Sequence, residues 1–278
     1  MIPKIIHYCW FGGNILPDEA KRCIDSWKKY CPDYQIIEWN ESNFDVNCCA
    51  YVKEAYEAGK WAFVSDYARF DILYRYGGIY FDTDVEMINS IDDILEKGSF
   101  MGREDINEEI AKQDKVIAVN PGIGLAADPG LELYKEILDC YNQKHFYNSD
   151  GSFNQTTVVE YTTNILKKYG LKAKNEIQCI NGIYIYPSDY FCPMNYYTGQ
   201  IKITENSRSI HHYTSSWFTD EEKKYRQFEL NMQKKFGKRI AGRLERIYSF
   251  PYRVKKKIAL KGLKGTIKFS IRKFLHEY

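Results

Sequence analysis

The chain has 278 residues, 44% of them apolar and 16% aromatic, enough for a full hydrophobic core, which excludes a disordered chain. Its net charge of +2 conceals an asymmetry: residues 238–278 carry 13 Lys and Arg against 2 Asp and Glu, and the first 237 carry a net −9. An acidic body argues against nucleic acid as its ligand, and the absence of any run of about 18 apolar residues excludes a membrane-spanning helix.

The opening stretch, "MIPKIIHYCWFGG", has its apolar run interrupted by Lys4 and His7 and is too short for a signal peptide, so a cytoplasmic location is expected. Cys9, Cys23, Cys31, Cys48, Cys49, Cys140, Cys179 and Cys192 form no CxxC pair and no zinc spacing. Without an export signal they are expected to be free thiols in a reducing compartment.

In chain order, "PKIIHYCWFG" reads as a first buried strand. "LPDEAKRCIDSWKKYCPDY" reads as a helix, with Pro17 in its first turn and Lys28 and Lys29 in its last. "YQIIEW" is a second strand, so the opening is a βαβ unit and implies a parallel or mixed sheet. Residues 50–76 are helical in pattern and end at Gly77-Gly78. "IYFDTDVEMI" reads as one strand, "KVIAVNPGIGLAA" as strand-loop-strand, and helices are expected around 129–142 and 155–169. "GIYIYP" and "RSIHHYTSSW" complete the strands, and a helical basic extension is expected over 221–278 beyond a catalytic domain at 1–220.

Two features of this pattern carry chemistry. At 100° per residue, "WAFVSDYARFDILYRYGG" places Asp66 in the middle of the apolar face, with Arg69 beside it. Asp71 and Arg75 fall on the opposite side as an ordinary surface pair. A charged pair aimed at the core is costly unless well hydrogen-bonded, which favours Asp66 and Arg69 facing a polar ligand cavity. The second feature is Asp82 and Asp84, one residue apart after an apolar strand. On a strand they would project to one face, where two carboxylates need a cation between them. Oxygen ligands without thiolates suit Mg²⁺ or Mn²⁺, and such a metal completes its shell with phosphate oxygens. No GxxxxGK[ST] loop and no GxGxxG fingerprint is present, which leaves a nucleotide-sugar as the fitting diphosphate ligand.

Together, "IPKIIHYCWFGG", "WAFVSDYARFDILYRYGGIYFDTDVE" and "IHHYTSSW" resemble the bacterial and fungal DXD-containing glycosyltransferases of family 32, which include capsular polysaccharide sugar transferases. The likeness spans about residues 1–220 and extends, more distantly, to the catalytic domain of the large clostridial glucosylating toxins. It implies an α/β, GT-A-type fold with a central mixed sheet flanked by helices. It also implies a metal-dependent, retaining transfer without an enzymic general base, from a nucleotide-sugar (a UDP-sugar favoured) to a saccharide or lipid-linked oligosaccharide.

By the same resemblance, Trp10 stacks on the nucleobase, Ser65 lies near the nucleoside, and Asp66 and Arg69 grip the donor sugar. Tyr80 precedes the metal motif, and Asp84 is the direct metal ligand. Asp82 contacts ribose, sugar or metal through water, and His212 is a second protein ligand, Mn²⁺ or Mg²⁺ being the metal. Ser215 and Trp217 close over the diphosphate, and Asn154 and Gln155 are weaker candidates. Read from the residues alone, Trp10 fits the core equally well, and His211 and His212 face opposite ways on a strand, so at most one enters the site.

Three other readings remain. A haloacid-dehalogenase-like phosphatase also has DxD after a strand, but needs Thr or Val where Glu86 stands. A non-catalytic sugar-binding relative would have lost the metal motif, which is intact here; toxin-like transfer onto a protein is disfavoured for want of a translocation sequence. In the basic extension, Val254, Ile258, Ile267, Ile271, Phe274 and Tyr278 recur among Lys and Arg at mostly helical spacing. That pattern suits either a solvated helix packed on the body or peripheral attachment to an anionic membrane surface, the inner face of the cytoplasmic membrane; the concentration of cations favours the second.

Overall fold

A computed structural model describes residues 1–104, 117–154, 156–196, 199–214, 220–255 and 258. The chain divides into two compact units, Met1–Trp217 and Phe218–Tyr278.

The first unit opens with β1 (Ile5–Cys9), α1 (Asp18–Tyr30) and β2 (Gln35–Trp39), and β1 pairs with β2 in parallel. On α1 the buried residues Ala20, Cys23, Ile24 and Trp27 recur at helical spacing, and acidic and basic residues sit at its two ends as the helix dipole favours. The helix expected over residues 50–76 is two helices, α2 (Ala50–Glu57) and α3 (Trp61–Tyr76). They are separated at Gly59, whose φ of 65° ends the first. At the end of α3, Gly77 takes φ 64° and its N–H bonds to the Leu73 carbonyl. A side chain on Gly78 would lie 2.7 Å from the Ile5 carbonyl, so the two glycines let the chain turn from helix into sheet against β1.

The single strand expected over "IYFDTDVEMI" is also divided. β3 (Gly78–Tyr80) joins the main sheet, and β4 (Val85–Met87) pairs with β10 (Ser209–His211) in a separate two-stranded ribbon. Between them the Phe81 N–H still bonds to the His7 carbonyl, after which residues 82–84 turn away and the Val85 N–H bonds to the Asp82 carbonyl. The unit continues through α4 (Asp92–Leu95), β5 (Phe100–Glu104), β6 (Ala118–Val119), β7 (Leu125–Ala127), α5 (Glu132–Asn142) and α6 (Val158–Lys168). It then passes through β8 (Gln178–Ile180), β9 (Ile183–Tyr186) and α7 (Ser188–Phe191).

The main sheet runs β2-β1-β3-β7-β5-β9-β8, with β6 on β5. It is mixed: β1–β2, β1–β3 and β5–β9 are parallel, and β3–β7, β5–β7, β5–β6 and β8–β9 antiparallel. Period-two alternation divides the core between its faces. Ile6, Tyr8, Ile79 and Phe81 pack with α1, and Cys9 and Tyr80 with α2, α3, α5 and α6. The fold is therefore α/β, a central mixed sheet flanked by helices. All eight cysteines are unpaired.

The second unit contains α8 (Asp220–Phe236) and α9 (Lys238–Tyr248), which turn back on each other at Gly237 (φ 77°). The Phe228 and Tyr248 rings pack 4.3 Å apart between them. Among the described residues no helix is long and apolar enough to cross a membrane.

Candidate active site

Strand order reverses at β1: the chain leaves it for β2 on one side and returns as β3 on the other. In open α/β sheets a crevice forms beyond the carboxyl ends of the strands at such a point. Asp82 and Asp84 lie there, just past β3.

Arg69 organises the site. Its side chain is 4% exposed, and its terminal nitrogen lies 3.0 Å from Asp66 Oδ1 and 3.3 Å from Asp82 Oδ1. Nε donates to the Ser65 carbonyl at 3.0 Å, and the guanidinium sits 4.8 Å above the Tyr80 ring. The Tyr80 hydroxyl donates to the same Asp82 oxygen at 3.0 Å. The positive group demanded by the aspartate pair is thus supplied on one side by the protein itself. Burial pushes the Asp66 carboxyl up to about 6; Arg69 opposes the shift and the charge of Asp82 adds to it. Asp71 and Arg75 form the exposed i,i+4 pair.

Asp84 is held from the other side. The His211 Nε2 lies 3.2 Å from its Oδ1, and the Thr214 N–H and hydroxyl donate to Oδ2 at 2.9 and 3.2 Å. Burial works against ionisation, yet His211 and these donors hold the Asp84 carboxyl down to about 2. Reciprocally, burial opposes charge on His211 and Asp84 overrides it, raising the imidazole well above its ordinary range. Asp82, Asp84 and His211 each offer a ligand atom, all within 4.8 Å of one another. Two carboxylates and an imidazole are donors that Mn²⁺ accepts, so the donor chemistry of this set fits a divalent cation.

The histidine that the structure brings beside Asp84 is His211, not the expected His212. In the β4–β10 ribbon His211 stands opposite Val85 and Ile210 opposite Glu86, so alternation puts His212 on the face of Glu86. There its Nε2 lies 2.8 Å from Glu86 Oε2. A strand running through residue 84 would have put Asp84 on that face too. The turn before Val85 releases Asp84 from the alternation and delivers it to His211.

The remaining expected residues are placed as follows. Ser65 is half-buried and its hydroxyl donates to the Trp61 carbonyl at 3.1 Å. Trp10 packs in part against the core face shared with α1, and its indole N–H is committed to the Asn14 carbonyl at 2.6 Å. Asn154 donates to the Tyr161 hydroxyl. Ser215, Trp217 and Gln155 lie outside the described residues.

The structure adds residues that local pattern does not reveal. A side chain on Gly122 would come 1.9 Å from Asp82 Oδ2, so only glycine allows the carboxylate its place. The Asp82 N–H bonds to the Gly122 carbonyl, and the Gly122 N–H to Asn120 Oδ1. Asn120 in turn donates to Glu104, which also accepts from the Tyr213 hydroxyl; the Tyr213 ring packs 4.1 Å from that of His211. These contacts link the two aspartates through partners distant in sequence. "NPG" at 120–122 was the one local hint, a turn after a strand.

Residues 17–101 match the family described as the glycosyltransferase sugar-binding region containing a DXD motif. The matched segment carries Asp66, Arg69, Asp82 and Asp84. Over 111 residues the chain is 32% identical to inositol phosphoceramide mannosyltransferase 1 of Schizosaccharomyces pombe, covering 36% of this chain and 33% of that protein. The chain thus spans about a third of the length of that relative. It is 25% identical over 209 residues to the uncharacterized glycosyltransferase L373 of Acanthamoeba polyphaga mimivirus, 70% of this chain and 77% of the other. Among solved structures, PaToxG glycosyltransferase aligns over 60% of this chain and 69% of its own, at 21% identity and a TM-score of 0.46.

Proposed function

We propose that the chain is a metal-dependent glycosyltransferase that moves a sugar from a nucleotide-diphosphate sugar to a saccharide or lipid-linked saccharide acceptor, as in capsular or other surface polysaccharide synthesis. The observation that carries this reading is the juxtaposition of the Asp66–Arg69–Asp82 bridge with the Asp84–His211 pair at the strand-order reversal. Asp66 and Arg69 are suited to orient sugar hydroxyls, since one offers acceptor oxygens and the other a fixed fork of donors. A divalent cation, Mn²⁺ or Mg²⁺, held by Asp82, Asp84 and His211 would supply Lewis acidity toward the departing diphosphate.

Retention of anomeric configuration follows from the family resemblance and agrees with assigning no general base. A UDP-sugar is the donor favoured by that resemblance, and the mannosyl transfer named for the fungal relative makes a GDP-sugar the other arm of the test. That relative is named for inositol phosphoceramide, which favours a lipid-borne acceptor; a peripheral position on the inner face of the cytoplasmic membrane rests on the basic extension.

The test is release of nucleoside diphosphate from UDP-, GDP- and CDP-sugars with Mn²⁺, together with Mn²⁺ titration by calorimetry. One donor class should be turned over, and excess EDTA or Asp84→Asn should abolish both turnover and Mn²⁺ binding. His211→Asn should weaken Mn²⁺ binding at least about tenfold, the scale of losing a ligand or its close support, whereas His212→Asn should not. Full turnover in EDTA, or a loss confined to the His212 variant, would overturn the assignment of the metal site.

A further inference from the structure

The second unit carries a face for which the transfer reaction has no use. Past α9 the helical hydrogen bonding continues: the Ser249 N–H bonds to the Glu245 carbonyl and the Arg253 N–H to the Ser249 carbonyl, with residues 250–255 helical. At 100° per residue, Ile240, Arg243, Ile247, Phe250 and Val254 fall within a sector of roughly 80°. Ile240 is 50% exposed, Ile247 72% and Phe250 63%. Away from this sector, Ala241 and Ser249 are buried, and Tyr248 packs on the Phe228 ring of α8. Arg243 lies within the stripe, and Arg246 and Arg253 form its flank, all three exposed.

Single exposed apolar side chains need no explanation, but a continuous stripe edged by arginines does. Its surroundings select the occupant. Residues 238–278 carry 13 Lys and Arg against 2 Asp and Glu, whereas the rest of the chain is net negative. An apolar stripe that carries Arg243 and is flanked by Arg246 and Arg253, in a segment rich in Lys and Arg, complements an anionic lipid surface, with apolar residues at the acyl boundary and arginines among the headgroups.

We infer that the Ile240–Ile247–Phe250 face is the surface by which this protein docks on anionic phospholipid. The inference deepens the peripheral attachment proposed above and does not depend on the transfer chemistry.

The test uses the full chain and vesicles of phosphatidylcholine with or without 30% phosphatidylglycerol (on the order of a natural anionic fraction). The wild type should sediment with the anionic vesicles, weakly with the neutral ones, and less as salt rises. Ile247→Glu combined with Phe250→Glu should reduce the bound fraction at least about tenfold, and Arg243→Gln with Arg246→Gln should lower it on anionic vesicles. Both variants should keep the wild-type melting temperature and donor hydrolysis, so failure of docking is read separately from failure of the transferase reading. Equal binding to neutral and anionic vesicles, or unchanged binding by the Ile247/Phe250 variant, would overturn the inference. So would a wild-type dimer by light scattering that this variant dissolves without any vesicle binding, because the stripe would then belong to a second copy.

Discussion

Arg69 bridges Asp66 and Asp82, two carboxylates on different elements, and is nearly inaccessible to water while doing so. Removing it would leave two acids in one enclosed space. Breaking a buried charge pair on one side costs about 3–5 kcal/mol, far above the ~0.2–0.5 kcal/mol of a surface i,i+3 pair. Arg69→Ala is therefore expected to lower the melting temperature and abolish turnover. Arg69→Lys keeps the charge but cannot span both carboxylates while lying over Tyr80, so it should recover stability better than activity. Asp66→Asn, a near-isostere, should leave the melting curve close to wild type and still cut turnover. A fully active Asp66→Asn enzyme would reduce the bridge to a structural role.

Gly122 is the second place to test. Its Cα hydrogens face the Asp82 carboxylate, and the added methyl of Gly122→Ala would also approach Arg69 Nη1 to 3.1 Å. Overpacking of this kind costs about 1–3 kcal/mol, and the mobile partner here is the carboxylate. The expected result is a modest fall in melting temperature with a fall in kcat/KM of at least about tenfold, since a misplacement of about 1 Å is that damaging in a preorganised site. Steady-state kinetics beside a melting curve decide it; proportionate losses would mean simple destabilisation.

Stability at mildly acidic pH should be controlled in part by His7. Its Nε2 lies 3.0 Å from the Gly77 carbonyl, which only accepts, and its Nδ1 accepts from the Trp39 indole N–H at 3.0 Å, so the ring is neutral with its proton on Nε2. Burial lowers its pKa to about 4, with the Gly77 bond partly opposing. The unfolded chain binds a proton near 6.5, so between about 6.5 and 4 the unfolded state holds more protons and stability falls as pH falls. The full effect is about 3 kcal/mol. His211 shifts oppositely, and its contribution is lost as pH rises. The difference between wild type and His7→Gln in urea unfolding across this window isolates His7; coincident slopes would refute the assignment.

How much of this was legible in the sequence depends on how far apart the interacting residues are. Asp66 and Arg69 share one helix, so 3.6-residue periodicity alone aimed them at the site. The aspartate pair was legible as a pair, although the strand geometry first used to join them is replaced by a turn. The choice between His211 and His212 was not legible, because it hangs on whether β4 begins before or after Asp84. Glu104 meets Asn120 through the β5–β6 pairing and Tyr213 through a side-chain contact, both across long stretches of chain that no local pattern encodes. The α2–α3 break at Gly59 shows the same limit at short range: one residue with positive φ divides a helical pattern that otherwise runs on.

The β4–β10 ribbon stands outside the main sheet, and it carries His211 and borders Asp84, while Asp82 follows directly from β3. Under the proposed metal assignment, the three candidate ligand atoms therefore come from two separately paired sheets. If the proposed site holds a cation, a change in the ribbon's sequence would exchange one of its ligands while the pairing of the strands beneath Asp82 stays as it is, as a lock cylinder is replaced while the door stays hung.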